Sequence, residues 1–174
     1  RHEIKFSLKN KKTKNKKDKK LKFSNQLIAN INKTEKIIFL VGSGFSRSEK
    51  LNENLDLLNE LNVPTGFSWG GQEISRKVKN SIGIFGDHTP GTASEHVENS
   101  KIIICLGISL LQHQVGREHD NFAPHAKIVF VNNNLNECKR AKKQFGKRLI
   151  YFNTTSNNLL INFKKIYNFR SNYN

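Results

Sequence analysis

Three turns in this sequence have the residue types that could hold a phosphate group. Each turn follows an apolar run, and together the turns contain Gly42, Ser43, Gly44, Gly107, Ser109, Asn132 and Asn134. Glycine lets the backbone approach a phosphate closely, and the N-terminus of a following helix supplies amide donors and a positive potential. A complete dinucleotide fingerprint, GxGxxG, would have a third glycine at position 47, where this sequence has Arg47. The first turn is therefore either a nucleotide-facing loop or a simple tight turn.

Metal binding and nucleophilic catalysis are not indicated by the spacing of the histidines and cysteines. No histidine forms an HExxH pair or has a carboxylate at ligand spacing, so the 6 histidines are expected in surface or loop positions. Cys105 lies within an apolar run and is expected to be an inert core residue. Lys139 and Arg140 stand beside Cys138 and could lower its pKa, but nothing nearby completes a nucleophilic site. A protein with 2 cysteines also cannot form a four-cysteine zinc site.

Strands and helices alternate along the chain in a pattern that would position these turns. Short β-branched runs ended by glycine or asparagine predict strands buried on both faces, at 37–41, 101–107 and 126–131. Further segments predict strands at 62–67 and 148–152 and helices at 23–32, 48–61, 91–99, 135–145 and 157–167. The stretch 68–91 is predicted to be mostly loop, with Trp69 as a packing anchor. We therefore expect an α/β doubly wound, mainly parallel sheet, with ligands beyond the carboxyl ends of its strands.

The chain is strongly basic, and its charge is concentrated near the start. Its 174 residues carry 30 Lys and Arg against 14 Asp and Glu, a net charge of +16. Residues 9–22 hold much of the excess, and such runs are typically solvated linkers, with a polyanion contact as the alternative. No stretch approaches the roughly 18 apolar residues of a membrane-spanning helix. Since the sequence begins with Arg1 and has no signal peptide, we expect a piece of a longer cytoplasmic protein.

From residue 36 to about residue 140, the order of segments resembles the central domain of thiamin-diphosphate-dependent enzymes of the acetolactate synthase type. The family's "PV" strand is matched in reverse order at 63–64, and its G-x-x-G-x-H loop is matched at 83–88. Residues 91–110 resemble the family block that ends in "lG.RL", and residues 115–140 resemble its block "FaP.AkiihiDiD..Ei.K". The most specific matches are Phe122-Ala123-Pro124, Ala126-Lys127-Ile128 and Glu137.

This resemblance implies a parent enzyme in which flanking pyrimidine- and diphosphate-binding domains hold thiamin diphosphate and magnesium. The family's activating glutamate belongs to the N-terminal domain and its GDG…N motif to the C-terminal domain, and this sequence has no GDG. The resemblance therefore implies that the chain has no catalytic residue of its own and that the parent is a homo-oligomer. It also implies a basic interdomain linker over 1–22 and a central domain over 23–174.

Three departures from the family pattern bear on cofactor binding. Ser109 stands where flavin-binding members have arginine, and Asn132 and Asn134 replace the two aspartates of "DiD". A neutral amide bonds ribose hydroxyls more weakly than a carboxylate does, so flavin is not expected. The segment Gly-Ile-Ser-Leu looks closer to members of nucleotide-sugar and polysaccharide pathways. The glycines are expected to keep a crevice open to a diphosphate, and the vestigial nucleotide site would comprise Gly42, Ser43, Gly44, Gly86, His88, Gly107, Ser109, Asn132 and Asn134.

Two other functions fit parts of the sequence. The stretch 39–49 resembles the Gly-Ala-Gly-x-Ser opening of sirtuins, which are NAD-dependent deacylases that usually also have a four-cysteine zinc site. The lysine run could instead belong to a stand-alone nucleic-acid-binding module, although it lacks the interleaved aromatic residues of a stacking platform. Neither nucleic acid nor a membrane is the expected partner.

Overall fold

The helices and strands follow the apolar runs of the sequence. The computed structural model describes residues 21–86 and 91–171. Within these residues the strands are β1 (Ile37–Val41), β2 (Thr65–Phe67), β3 (Ser81–Ile84), β4 (Ile102–Leu106), β5 (Lys127–Asn132) and β6 (Leu149–Asn153). The α-helices are α1 (Asn25–Lys33), α2 (Ser43–Ser46), α3 (Leu51–Leu61), α4 (Thr92–Asn99), α5 (Gln112–Val115), α6 (Leu135–Phe145) and α7 (Ser156–Ser171). Two further segments, Trp69–Lys77 and Gly146–Arg148, form 3₁₀ helices.

One parallel sheet contains the strands in the order β3-β2-β1-β4-β5-β6. Every strand pairing in the described residues is parallel, and Ile37 pairs with Ile102, which pairs in turn with Lys127. The chain order reverses between β1 and β4, so these two strands flank the topological switch point, where doubly wound sheets bind their ligands. The predicted α/β doubly wound fold is confirmed.

Apolar side chains cover both faces of the sheet, which explains why the central strands are apolar without interruption. Successive residues of β1 point to opposite faces. Phe39 belongs to the core beneath α1, α3 and α7, whereas Leu40 belongs to the core beneath α4 and α6. Phe163 of α7 packs edge-on against Phe39 with ring centroids 5.6 Å apart. A strand buried in this way has the continuous hydrophobic run that is typical of parallel sheets.

The middle of the chain is more regular than its sequence predicted. Within 68–91, which was expected to be mostly loop, Trp69–Lys77 forms a 3₁₀ helix and Ser81–Ile84 forms β3. Strand β3 lies half-exposed at the edge of the sheet, so it lacks the long apolar run of a central strand. The helix predicted over 48–61 begins only at Leu51, because the chain after β1 first forms the short helix α2.

The described chain enters at the carboxyl edge of the sheet, where the strands end, and leaves toward the amino edge, where they begin. Phe23 packs on Phe152 near the carboxyl end of β6, with ring centroids 5.2 Å apart. Lys164 of α7 forms an ion pair with Glu60. Glu60 lies near the end of α3, which returns the chain to the amino edge, so α7 also runs toward that edge. Residues 1–20, with most of the predicted linker, lie outside the described residues, and the linker stays a prediction. Among the described residues, no helix has the length and apolar character needed to cross a membrane.

Candidate functional site at the switch point of the sheet

Two glycine-containing loops meet at the switch point between β1 and β4. The loop after β1 contains Gly42, Ser43 and Gly44, and the loop after β4 begins at Gly107. The Gly42 amide donates to the Leu106 carbonyl at 3.1 Å, and the Gly44 amide donates to the Gly107 carbonyl at 2.9 Å. The structure thus brings these four predicted site residues together.

The glycines allow the two loops to contact each other through their backbones. A Cβ atom on Gly107 would overlap the amide nitrogen of Phe45 and would lie 2.6 Å from the carbonyl carbon of Gly44. A Cβ atom on Gly42 would lie 2.6 Å from the carbonyl oxygen of Gly107. Gly107 also has a φ of +60°, a left-handed conformation that favours glycine. The backbone of the neighbouring loop therefore takes the space where a Cβ atom of these glycines would lie.

The 3₁₀ helix after β2 covers another side of the first loop. A Cβ atom on Gly71 would lie 2.8 Å from the carbonyl oxygen of Val41, and one on Gly70 would lie 2.9 Å from the Cβ atom of Ser43. The side chain of Trp69 is 63% exposed, so the glycine pair and not the indole is the packing anchor here. This contact was not predicted from the sequence, although successive glycines are a signal for a close backbone approach.

Several backbone amides that could bind a phosphate in this loop already have partners within the protein. Besides the bonds of Gly42 and Gly44, the Phe45 amide donates to the Gly42 carbonyl at 3.0 Å and the Arg47 amide donates to the Ser43 carbonyl at 3.1 Å. The Arg47 guanidinium bonds the same serine, its carbonyl at 3.2 Å and its hydroxyl oxygen at 3.0 Å. The loop does not fit the diphosphate of a flavin or another dinucleotide, because such a group would have to break the bonds between the loops.

Side chains of α6 hold the loop that follows β4. The Arg140 guanidinium donates to the Ser109 carbonyl, to the Glu137 carboxylate at 3.2 Å and to the Gln144 amide oxygen at 2.6 Å. Gln144 donates in turn to the Leu110 carbonyl at 3.2 Å. Leu110 is fully buried with a φ of +50°, so these bonds stabilise a strained backbone conformation. Arg140 therefore lies beside Ser109, but the Glu137 carboxylate balances its charge. The donors of the Arg140 guanidinium are used to hold the loop.

Asn132 and Asn134 organise the start of α6. The Asn132 side-chain oxygen accepts the Asn134 amide at 2.9 Å, and the Asn134 side-chain oxygen accepts the Asn136 amide at 3.0 Å. Asn134 is therefore the N-cap of the helix, a position that asparagine favours. The Asn132 carbonyl also accepts the Asn153 side-chain amide at 3.1 Å. The side-chain oxygens of Asn132 and Asn134 stand where the family has carboxylates that could bind a ribose. Both oxygens already accept backbone amides at the start of α6.

Gly86 lies apart from the switch point. It follows β3, which is separated from β1 by β2. Gly86 lines a hollow of about 150 Å³ beside α4 and α5. The apolar side chains of this hollow are Phe85, Val97, Val115, Phe122 and Ala123. His88, which the sequence placed with Gly86 in the candidate site, lies outside the described residues.

Neither cysteine has the environment of a nucleophile. Burial raises the pKa of the Cys105 thiol, which is enclosed within β4. Burial also raises the pKa of the Cys138 thiol, and the bond that this thiol donates to the Asn132 carbonyl at 3.5 Å does not reverse the shift. The expected lowering of the Cys138 pKa by neighbouring cations is wrong, because the Arg140 guanidinium is directed to the β4 loop. Within 21–86 and 91–171, no cluster of three or more His, Cys, Asp or Glu could hold a metal.

Comparison with known proteins identifies the family. A family model described as "Thiamine pyrophosphate enzyme, central domain" matches residues 24–147, which is most of the chain and includes both switch-point loops and α6. The chain belongs to this family. The resemblance in the sequence is thereby confirmed for the central domain of thiamin-diphosphate enzymes. No curated protein matches the chain.

A solved structure with the same fold is the thiamine diphosphate-dependent 4-hydroxybenzoylformate decarboxylase of Rhodococcus jostii RHA1. The two proteins are 13% identical, and they superpose with a TM-score of 0.55. The match covers 83% of this chain and 26% of the decarboxylase. At this identity the match supports the fold alone, and the central-domain chain spans about a quarter of the length of that enzyme.

Proposed function

We propose that this chain is the non-catalytic central domain of a larger thiamin-diphosphate-dependent enzyme of the acetolactate synthase type. In this proposal, thiamin diphosphate and magnesium bind to flanking pyrimidine- and diphosphate-binding domains of the parent chain. The family assignment supports a position between other domains, since the matching family model is that of a central domain. The parent would be a cytoplasmic homo-oligomer and a lyase or transferase.

We further infer that the switch point is a vestigial nucleotide site with very low affinity. The observation that carries this inference is the direct contact between the loop Gly42-Ser43-Gly44 and Gly107, whose backbone bonds a diphosphate would have to break. The replacements at Ser109, Asn132 and Asn134 also remove one cation and two anionic acceptors relative to flavin-binding members of the family. Each lost charge-assisted bond is worth about 1.5–3 kcal/mol, so any remaining affinity would be about millimolar at best.

The pathway of the parent is a further part of the proposal. The segment 107–110 (GISL) resembles the corresponding segment in members of nucleotide-sugar and polysaccharide pathways more than that in flavin-binding members. We therefore place the parent in a pathway of that kind. In such an enzyme, the central domain would act through its contacts with the domains that flank it.

Calorimetric titration with thiamin diphosphate and magnesium tests the domain assignment. The full-length parent is expected to bind one thiamin diphosphate per chain, and the 174-residue chain is expected to give no stoichiometric signal. Stoichiometric binding by the 174-residue chain alone, or no binding by the parent, would contradict the assignment.

The double variant S109R/N132D separates the two causes that disfavour flavin. It restores two residue types of the flavin-binding pattern and leaves the contact between the loops unchanged. Because backbone atoms close the switch point, we expect flavin affinity to stay no better than about millimolar. A rise to micromolar affinity would show that the lost charges, and not the closed loops, exclude flavin.

A further inference from the structure

At the carboxyl edge of the sheet, the turns that follow five of the six strands carry no charge. The four residues that follow each of β1, β2, β4, β5 and β6 are 42–45, 68–71, 107–110, 133–136 and 154–157. None of these 20 residues is charged, whereas a chain with 25% charged residues would place about five charges among them. The four residues that follow β3 in the sequence, 85–88, include one charged residue, Asp87.

Most of the exposed large apolar side chains lie at this same edge. Trp69 follows β2 and is 63% exposed, Leu111 follows β4 and is 43% exposed, and Leu135 follows β5 and is 42% exposed. Among the described residues the remaining one is Ile150, 38% exposed within the edge strand β6. Single exposed apolar side chains are normal on a protein surface. Three of them at one edge of the sheet are typical of an interaction surface.

The amino edge has the opposite character. Lys36 precedes β1, Lys101 precedes β4 and Lys127 begins β5, and all three side chains are exposed. The Lys101 amide donates to the Lys36 carbonyl and the Lys127 amide donates to the Lys101 carbonyl, each at 2.9 Å, so the lysines lie on neighbouring strands. A row of like charges is stable only when it is hydrated or paired. The carboxyl edge is therefore the one suited to contact with an apolar protein surface.

We propose that the carboxyl edge is the docking surface for the domain that precedes this chain in the parent enzyme. The proposal rests on the proposed function, which supplies that preceding domain. The described chain enters at this edge, where Phe23 packs on Phe152, while α7 carries the chain toward the amino edge. A domain tethered through this entry point has a high effective concentration at the edge. Its contacting face would be largely apolar where it meets Trp69, Leu111 and Leu135.

Hydroxyl-radical footprinting of the full-length parent tests the docking. Modification rates of Trp69, Leu111 and Leu135 are divided by their rates in urea-unfolded protein, and Ile150 in the same sample is the internal control. Without docking, each edge side chain should be modified at least as readily as Ile150, since all three are more exposed than Ile150 in this structure. Docking is expected to lower the three normalised rates about fivefold or more, as for the buried core of an interface.

Variants and a second titration make the outcome decisive. Leu111→Glu should release Trp69 from protection, and the matched variant Ile150→Glu should leave that protection intact. Edge residues that stay as reactive as Ile150 in the parent would overturn the proposal. Protection that disappears when dilution dissociates an oligomer would also overturn it, because a second copy would then cover the edge. If the parent binds thiamin diphosphate but its edge residues are not protected, only the docking proposal is rejected. If the edge residues are protected but the parent does not bind thiamin diphosphate, only the proposed function is rejected.

Discussion

Substitution of Gly107 by alanine tests the contact between the two switch-point loops. The new Cβ atom would overlap the Phe45 amide nitrogen and would lie 2.6 Å from the Gly44 carbonyl carbon. Both are backbone atoms of a loop that is bonded to its neighbour, so they cannot move independently. Overpacking of this kind costs about 1–3 kcal/mol, and alanine in the left-handed conformation costs about 1–2 kcal/mol more. We expect the free energy of unfolding to fall by about 2–5 kcal/mol, a large part of the roughly 5–15 kcal/mol of a typical domain.

Urea unfolding followed by far-ultraviolet circular dichroism measures this loss, with Gly146→Ala as the matched control. Gly146 has a φ of +55°, close to the +60° of Gly107, but a Cβ atom there would have no heavy atom within 4 Å beyond its chain neighbours. The control should therefore lose only the cost of placing alanine at a positive φ, without a steric overlap. Equal losses for the two variants would refute the loop contact, since only Gly107 faces another loop.

Three further predictions concern side chains elsewhere in the structure. Arg148→Met should lower the free energy of unfolding by about 2–4 kcal/mol in the same urea assay, because the guanidinium donates to three carbonyls of the loop before β5; an unchanged midpoint would contradict this. Asn157→Ala removes the 3.0 Å bond to the buried Asn54 and should lower stability by about 1–3 kcal/mol. As a control, Asn133→Ala at an exposed position should change stability by less than about 0.5 kcal/mol. Similar losses for the two variants would contradict a stabilising role of the buried bond. Since burial raises the pKa of Cys105 above its ordinary 9.0, unfolding releases its proton above that pH. The free energy of unfolding should therefore fall as the pH rises above about 9. In Cys105→Val the urea midpoint should fall less steeply with pH than in the unchanged protein. Equal slopes for the two proteins would contradict this prediction.

The fold could be predicted because strands buried on both faces have continuous apolar runs. The run at 37–41 ends directly at glycine, and it forms β1 with the predicted bounds. Strand β3 was missed for a physical reason: an edge strand needs less apolar surface, and Ser81–Ile84 contains glycine and serine beside two isoleucines. The 3₁₀ helix over Trp69–Lys77 was missed because its contact with β1 is made by glycine backbone, which leaves no hydrophobic pattern in the sequence.

The positions of the candidate site could be predicted, but its contacts could not. Glycine after a strand signals that something approaches the backbone, and the sequence does not say whether this is a phosphate or another loop. At Gly107 the approaching group is the backbone of Gly44 and Phe45, which only the pairing of β1 with β4 brings near. The bond from Arg140 to Ser109 likewise depends on how α6 packs on the sheet.

Closure of the switch point by the protein's own backbone is the central claim, and titration of the 174-residue chain with ADP and FAD tests it most directly. The bonds between the loops occupy the amides of Gly42 and Gly44, so we expect a colourless purified protein and no binding tighter than about millimolar. A yellow preparation with a flavin absorption band, or micromolar binding of ADP, would contradict the closure.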